Sequence, residues 1–507
     1  VNDLLWGDLI ILEFSGGDIQ FGLSLLVLIL IPAGLYFTFK TRFLPFRLFP
    51  EMIRVTLEKD ETKKDENSIS GVQALIVATA TRVGMGNLAG VVAAISFGGA
   101  GAVFWMWLTA LIGSSSSFIE STLAQIYKEK DPLYGGYRGG PAYVMDRIRL
   151  VTKIKREDAF VKNVKEEAEY VADDEQTYYT RGCKYGLLGT AFALSGLLCW
   201  AGISQVIGNS VTTSFQNAFG IPQVATALVL VAMSAVIVLR KNATVKVLDM
   251  VVPVMAGAYF LVTLFVIFKN ITLLPSVIGN IFSQAFGIRQ FAGGGLGVIV
   301  MNGVKRGLFS NEAGSGSAPC AAAAAEVSHP VKQGLVQVLS VFLDTCMICT
   351  ATAMLLLCSG VEPQADMAGM AYVQAAMNST LGKFGVIFIT VSLFLFAFTT
   401  LLGNFYYAET GLAYLCGMTP SNGAKWGMRI IAAIVVCVGA TMKLGIVWDT
   451  ADVLMGFMAL INVPVIFILL KPVLRCLDDY GKQKKAGKDP VFKAEHIGLT
   501  EKVDFWN

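Results

Sequence analysis

Charge is scarce in this chain: only 15% of its 507 residues are Asp, Glu, Lys or Arg, against 54% that are apolar. A water-soluble chain carries nearer a quarter, and with so few it would leave large apolar patches exposed. Histidine is scarcer still. His329 and His496 are the only two, too few for a multi-histidine metal centre. Among the nine cysteines only Cys346 and Cys349 have metal-like spacing. They fall in the apolar run CMICTATAMLLLC, where one helical turn of small hydrophobes is the simpler reading. No phosphate-binding loop of the GxxxxGK[ST] kind is present, which argues against a nucleotide-driven pump. No Ser–His pair or metal cluster points to an enzyme, and no repeated filter motif points to a channel. A net charge of +3 gives no reason to expect nucleic acid. The opening stretch VNDLLWGDLIILEF is acidic and lacks the basic leader of a signal peptide.

What the chain does have is long apolar runs, 51 glycines and a mean hydropathy of +0.61. Glycine at that level is disfavoured in soluble helices and common in membrane ones. An all-α polytopic membrane protein follows. A spanning helix needs about 20 mostly apolar residues, and about eleven segments qualify. They lie near 20–39, 70–97, 99–127, 186–208, 223–239, 247–268, 290–312, 333–359, 384–412, 427–442 and 447–470. The stretches 40–69, 128–185 and 471–507 are too charged to enter a bilayer. With the N-terminus outside, 33 of the 40 Lys and Arg fall on the inner side. Lys269, Arg289, Lys383 and Lys443 fall on the outer side, so the excess of positive charge predicts a cytoplasmic C-terminus.

Two segments do not read as plain helices. The second, GVQALIVATATRVGMGNLAGVVAAI, places TRVGMGN near the midplane. The seventh, FAGGGLGVIVMNGVKRGLFSNEAGSGS, is also interrupted by Asn, Gly and charge. Small residues alone could mark a close helix packing face. The midspan Arg82 and the Asn-Gly interruptions favour function instead, because irregular backbone survives in a membrane only beside a buried or wet cavity. With segment one set aside, these two helices each open a set of five, 70–268 and 290–470. That is the layout of a transporter with inverted repeats around a midplane site. Within one transporter domain, 1–507, helix 20–39 is then an N-terminal extra and 471–507 a cytosolic tail.

Several motifs now match one family in order: RVGMGNLAGV, GGAGAVFWMWLTALIG (98–113), GVKRGLFSNEAGSGSAPCAAAA (303–324), HPVKQGLVQVLSVFLDT (329–345) and FTTLLGNFYYAETGLAYL (398–415). The chain resembles the alanine or glycine:cation symporters over almost its whole length. The resemblance implies the leucine-transporter fold and sodium-coupled (in some members proton-coupled) uptake of alanine or glycine in the cell membrane. It implies no obligate protein partner beyond the lipid bilayer. ISQVIGNS, near 200–210, departs from the family pattern, which leaves Gln205 displaced from the usual Gln.

A zwitterionic amino acid needs donors for its carboxylate and acceptors for its ammonium. A broken helix supplies both. The Met85 and Gly86 amides are the candidates for the carboxylate, and carbonyls near Thr81 and Arg82 for the ammonium. Gly84 and Gly86 allow close backbone approach. Sodium, as the co-transported ion, prefers oxygen ligands. Thr399 and Thr400 are adjacent hydroxyls in an apolar span, where bonding back to their own helix is the plain alternative. The resemblance makes that pair sodium ligands, completed by carbonyls of Ala80, Val83 and Phe396. Asp344, midway along its span, is either a cation ligand with Asn87 or an ion-pair partner of Arg82 or Lys305. Glu120 is expected to be solvated or gate-lining, and Glu312 with Arg306 to form an inner gate. FWMW (104–107) reads as an interfacial aromatic belt.

Overall fold

The computed structural model describes residues 1–14, 19–58, 82–131, 136–147, 186–238, 241–287, 295–363, 369–417, 420–499 and 503–506. The fold is mostly helical, and among the described residues six helices are long and apolar enough to cross a membrane. A seventh span is a pair bent by 75° at Asn270. Its two ends are called outer and inner below, after the orientation that the basic residues predict.

The chain begins with a short helix, α1 (Asn2–Trp6), and an antiparallel hairpin of β1 (Ile10–Phe14) and β2 (Ile19–Leu23). The apolar segment expected at 20–39 therefore starts as a strand, and its helix, α2, is Leu25–Lys40. Ser24 stops the strand and starts the helix, its Oγ accepting the Val27 amide at 3.3 Å, the usual way an orphan first-turn donor is satisfied. Two short helices follow at the inner end, α3 (Leu44–Arg47) and α4 (Phe49–Thr56).

Of the span expected at 70–97, residues 82–98 are described. Gly86–Gly90 form a π turn that runs into α5 (Val91–Gly98). Helix α6 (Gly101–Ile126) lies at the centre, with nearly its whole inner half buried. A short strand pair (Glu129–Lys130 with Tyr137–Arg138) and α7 (Pro141–Met145) follow it.

Helix α8 (Leu187–Phe219) runs eleven residues past its expected end at 208. The reason is local chemistry. Apolar periodicity stops at NSVTTS, but those polar groups are buried and bonded: Asn209 Nδ2 donates to the carbonyls of Gly439 (3.1 Å) and Met442 (2.7 Å), and Thr212 Oγ1 to Gly208 (2.7 Å). Close contact permits this. A Cβ on Gly208 would stand 2.4 Å from the Val436 carbonyl oxygen, and one on Gly439 2.4 Å from the Gln205 Cα.

Next come α9 (Gln223–Val238), α10 (Lys241–Lys269) and α11 (Leu274–Ala285), the last two forming the bent pair. The aromatics of FWMW meet α11 rather than open water. Phe104 packs on Phe282 and Phe286, and Trp105 Nε1 donates to the Ala285 carbonyl at 3.1 Å. Helix α12 (Leu296–Asn311) breaks before α13 (Pro319–Ala324). Then α14 (Pro330–Val341) continues through a π segment, Phe342–Cys349, into α15 (Thr350–Leu357).

The span expected at 384–412 belongs to a longer stretch, α16 (Met370–Cys416), interrupted at Gly382 with φ 64°. Helices α17 (Asn422–Thr441) and α18 (Leu444–Ile468) complete the bundle. The charged segment 471–507 does not trail away: α19 (Leu470–Lys485) and the residues after it pack on the inner end, burying Tyr480, Phe492 and Trp506.

Candidate functional site

The first break lies at residues 82–90. Its backbone departs from α-helical bonding, and in a membrane each freed group needs a partner. The Gly84 amide donates to the Arg82 carbonyl (2.7 Å) and to Asn87 Oδ1 (3.2 Å). The Met85 amide donates to Thr400 Oγ1 of α16 at 3.1 Å. Thr399 and Thr400 both donate to the Phe396 carbonyl, at 3.0 and 2.7 Å. The expected sodium group of Phe396, Thr399 and Thr400 is thus brought against the first break. Its hydroxyl protons are bonded back to their own helix, as the plain alternative foresaw. Val83 is buried in the same region. Ala80 and Thr81 lie outside the described residues.

Asn87 links this break to a second irregular helix. Its Nδ2 donates to Asp344 Oδ1 at 2.6 Å and to the Asp344 carbonyl at 3.1 Å. Asp344 sits in the π segment after α14, where the widened turn presents both its carbonyl and its side chain to one neighbour. Its Oδ2 accepts from Ser310 Oγ and Thr345 Oγ1, both at 2.7 Å. The result is a fully buried carboxylate held by three neutral donors.

The ion pair of Asp344 with Arg82 or Lys305 is not formed. Arg82, fully buried, donates through Nη1 to the Gln337 carbonyl (3.0 Å) and through Nη2 to Ser117 Oγ (3.0 Å). Lys305 and Arg306 both turn to Asp452 of α18, Lys305 at 3.8 Å. Arg306 also stacks 4.1 Å from the Trp448 ring centre. The gate expected between Glu312 and Arg306 is therefore replaced by an Arg306–Asp452 pair. Asp452 was not foreseen, although a carboxylate inside the apolar span WDTADVLMGF carries the same signal as Asp344.

The second break joins α12 to α13. Glu312, Gly314 and Gly316 take positive φ of 56°, 89° and 87°, and hydroxyls within the turn satisfy it. Ser315 Oγ donates to the Glu312 carbonyl and Ser317 Oγ to Glu312 Oε2, both at 2.7 Å. Glu120 of α6, expected to be solvated or to line a gate, is only 2% exposed. Its Oε2 accepts from Asn462 Nδ2 at 2.8 Å, and the same amide donates to the Gly314 carbonyl at 3.0 Å. Burial of Glu120 is tolerable because the turn and Asn462 supply its hydrogen bonds.

Beside this break lies a cavity of about 50 Å³, room for roughly three to five waters. Phe192, Trp200, Glu312, Ser317, Asn404 and Met458 are among its lining residues. Asn404 follows Thr400 by one helical turn, so the cavity and the hydroxyl pair share a face of α16. Trp200 Nε1 and Asn404 Nδ2 have no hydrogen-bond partner, although both residues are about 95% buried. Orphan donors of this kind are rare and call for a missing acceptor. No group of three or more metal-ligating His, Cys, Asp or Glu side chains occurs among the described residues.

Comparison with known proteins narrows the reading. The profile of the sodium:alanine symporter family matches residues 14–155 and 159–494. A probable sodium/glutamine symporter GlnT of Bacillus subtilis (strain 168) is 40% identical over 507 residues, covering 100% of this chain and 94% of that one. A putative sodium/proton-dependent alanine carrier protein YrbD of the same organism is 39% identical, covering 95% and 94%. Among solved structures, an Eremococcus coleocola manganese transporter matches with a TM-score of 0.49 at 12% identity, covering 85% and 83%.

Proposed function

We propose, for a chain that belongs to the sodium:alanine symporter family, sodium-coupled uptake of a small neutral amino acid, alanine or glycine. Membership itself makes the chain a cation-coupled carrier of amino acids rather than an enzyme. The finer reading places it in the cell membrane with its N-terminus outside, as two inverted sets of five helices around the breaks.

One observation carries the ion assignment: Thr400 Oγ1 takes the Met85 amide while Thr399 and Thr400 share the Phe396 carbonyl. Three oxygens of one turn of α16 are thus gathered together, and the Thr400 hydroxyl among them meets the backbone of the first break. Rotating the two hydroxyls frees their lone pairs and the Phe396 carbonyl for a hard cation, and Val83 adds a carbonyl from the break. The amino acid is then read across the break, its carboxylate on the Met85 and Gly86 amides and its ammonium on carbonyls at Arg82. The route continues into the cavity, where Asn404 and Trp200 offer unspent donors. A cavity that small suits alanine or glycine better than glutamine, the substrate in the name of one relative.

A second reading rests on Asp344. A buried carboxylate held only by Asn87, Ser310 and Thr345 is suited to a proton or to a second cation. Alanine uptake into proteoliposomes, measured against sodium concentration and against an imposed pH gradient, separates the two. Sodium coupling predicts saturable sodium dependence, and the Thr399→Ala/Thr400→Ala double variant should need at least several-fold more sodium for half-maximal uptake. Unchanged sodium dependence in that variant removes the pair from the site. Uptake driven by the pH gradient alone moves the coupling ion to Asp344.

A further inference from the structure

We infer that the segment after α19 is a strap that holds the inner half of the second broken helix closed. The evidence begins at Lys128, just past the inner end of α6 and only 1% exposed. Its Nζ donates to the Ala325 carbonyl at the end of α13 (2.8 Å). The same ammonium lies 3.9 Å from the Phe505 ring centre and 5.1 Å from that of Trp506, within range of a cation–π attraction that strengthens when water is excluded. One side chain therefore touches both the strap and the half-helix.

Other contacts bind the same parts. Trp506 Nε1 donates to the Gln125 carbonyl at 2.7 Å, and Gln125 Nε2 donates to the Ala325 carbonyl at 2.8 Å. Further back, the strap follows the linker between α13 and α14. The Phe492 amide donates to the Ser328 carbonyl and Ser328 Oγ to the Pro490 carbonyl, both at 2.9 Å. Asp489 pairs with Lys332 at 2.9 Å. Phe492, Val503 and Trp506 are almost fully buried in these contacts.

The mechanical consequence follows from what the strap joins. Helix α13 contributes Cys320 to the cavity wall, so opening that cavity inward requires α13 and the 325–329 linker to part from α6. Each such movement must break strap contacts first. The inference rests on reading the cavity as part of the transport route, and the following test keeps the two apart.

Cys320 and Cys199 are free thiols on the cavity wall, and Cys437 of α17 is a free thiol away from it. Purified protein in lipid nanodiscs, with both faces accessible, is treated with a maleimide, and labelling is located by mass spectrometry. In Trp506→Ala, labelling at Cys320 and Cys199 should rise roughly three- to tenfold, the scale of losing one buried hydrogen bond with its packing. Cys437 should not change. Asp489→Asn, a mild change at a half-exposed position, should raise it about twofold and serves if the tryptophan variant does not fold. Unchanged labelling at both thiols in a folded variant overturns the strap. Faster labelling together with unchanged alanine uptake retains the strap and instead takes the cavity off the route.

Discussion

The two broken helices face the same physical demand and meet it in opposite ways. At the first break the freed backbone groups draw on other helices: Thr400 takes the Met85 amide, and Asn87 ties the turn to Asp344. The result is sealed, with Arg82, Met85 and Asn87 fully buried. The second break draws first on its own turn, through Ser315, Ser317 and three positive φ angles, while Glu120 and Asn462 bond only Gly314 from outside it. It leaves a cavity where the Trp200 and Asn404 donors have nothing to bond. The first break thus resembles a site filled by the protein's own groups, and the second a site with room but without its acceptor. Space limits Gly86 in the first break, and backbone conformation limits Gly314 in the second.

Filling the first break should have the largest effect. A Cβ on Gly86 would already lie 3.1 Å from the Ser310 Cα and 3.3 Å from the Phe309 carbonyl oxygen, both backbone atoms that cannot turn aside. Gly86→Leu is therefore expected to abolish alanine uptake while the protein still inserts and elutes as a single species. Normal uptake by that variant would remove the substrate from the first break.

At the second break the same kind of change should be milder and have another cause. A Cβ on Gly314 would meet nothing closer than 3.7 Å, but φ is 89°. Gly314→Ala should cost about 1–2 kcal/mol through the left-handed backbone alone. Gly314→Asn should recover part of that, because Asn tolerates this region better. Thermal unfolding and uptake rate in the two variants test the contrast. If Asn is no better than Ala, side-chain volume limits this break as well, and the distinction between the two breaks fails.

These contrasts show which features the sequence could reveal. Both breaks were legible, because Gly, Asn and Arg inside an apolar run cannot be ordinary lipid-facing helix. Thr399 and Thr400 were legible only through their resemblance to a family, since back-bonded hydroxyls are common in apolar spans. The partners of charged residues were not legible. Arg82 and Asp344 looked complementary, yet neutral groups separated from them by hundreds of residues, such as Gln337 and Asn87, took their bonds. The pairing of Asp452 with Lys305 and Arg306 was not legible either, because those residues lie on another helix. The outer end of α8 was also hidden, because burial of polar groups against α17 leaves no periodic signal. The packing of residues 486–499 and 503–506 was hidden for a related reason: charge marked the stretch as solvated, but its few aromatics decide where it docks.

The smallest effect concerns the tie between the second break and the inner end of α6. Burial pushes the Lys128 ammonium down from 10.5 to about 7, against the opposing pull of Glu326. The native state therefore gives up this proton before the unfolded state does. Between pH 7 and 10.5 the unfolded chain holds one more proton at this position, so stability should rise with pH across that window and be flat below it. The slope from one group is at most about 1.4 kcal/mol per pH unit, which for a chain this long is roughly 1–2 °C in Tm. Other groups titrate in the same range, so the comparison is with Lys128→Met, which keeps the length and apolar stem of the side chain but cannot titrate. Melting temperatures at pH 7.5, 8.5 and 9.5 should rise more steeply for the parent than for this variant. Parallel curves would mean that Lys128 stays charged, and that the inner half of the second break is held by a full ammonium at every working pH.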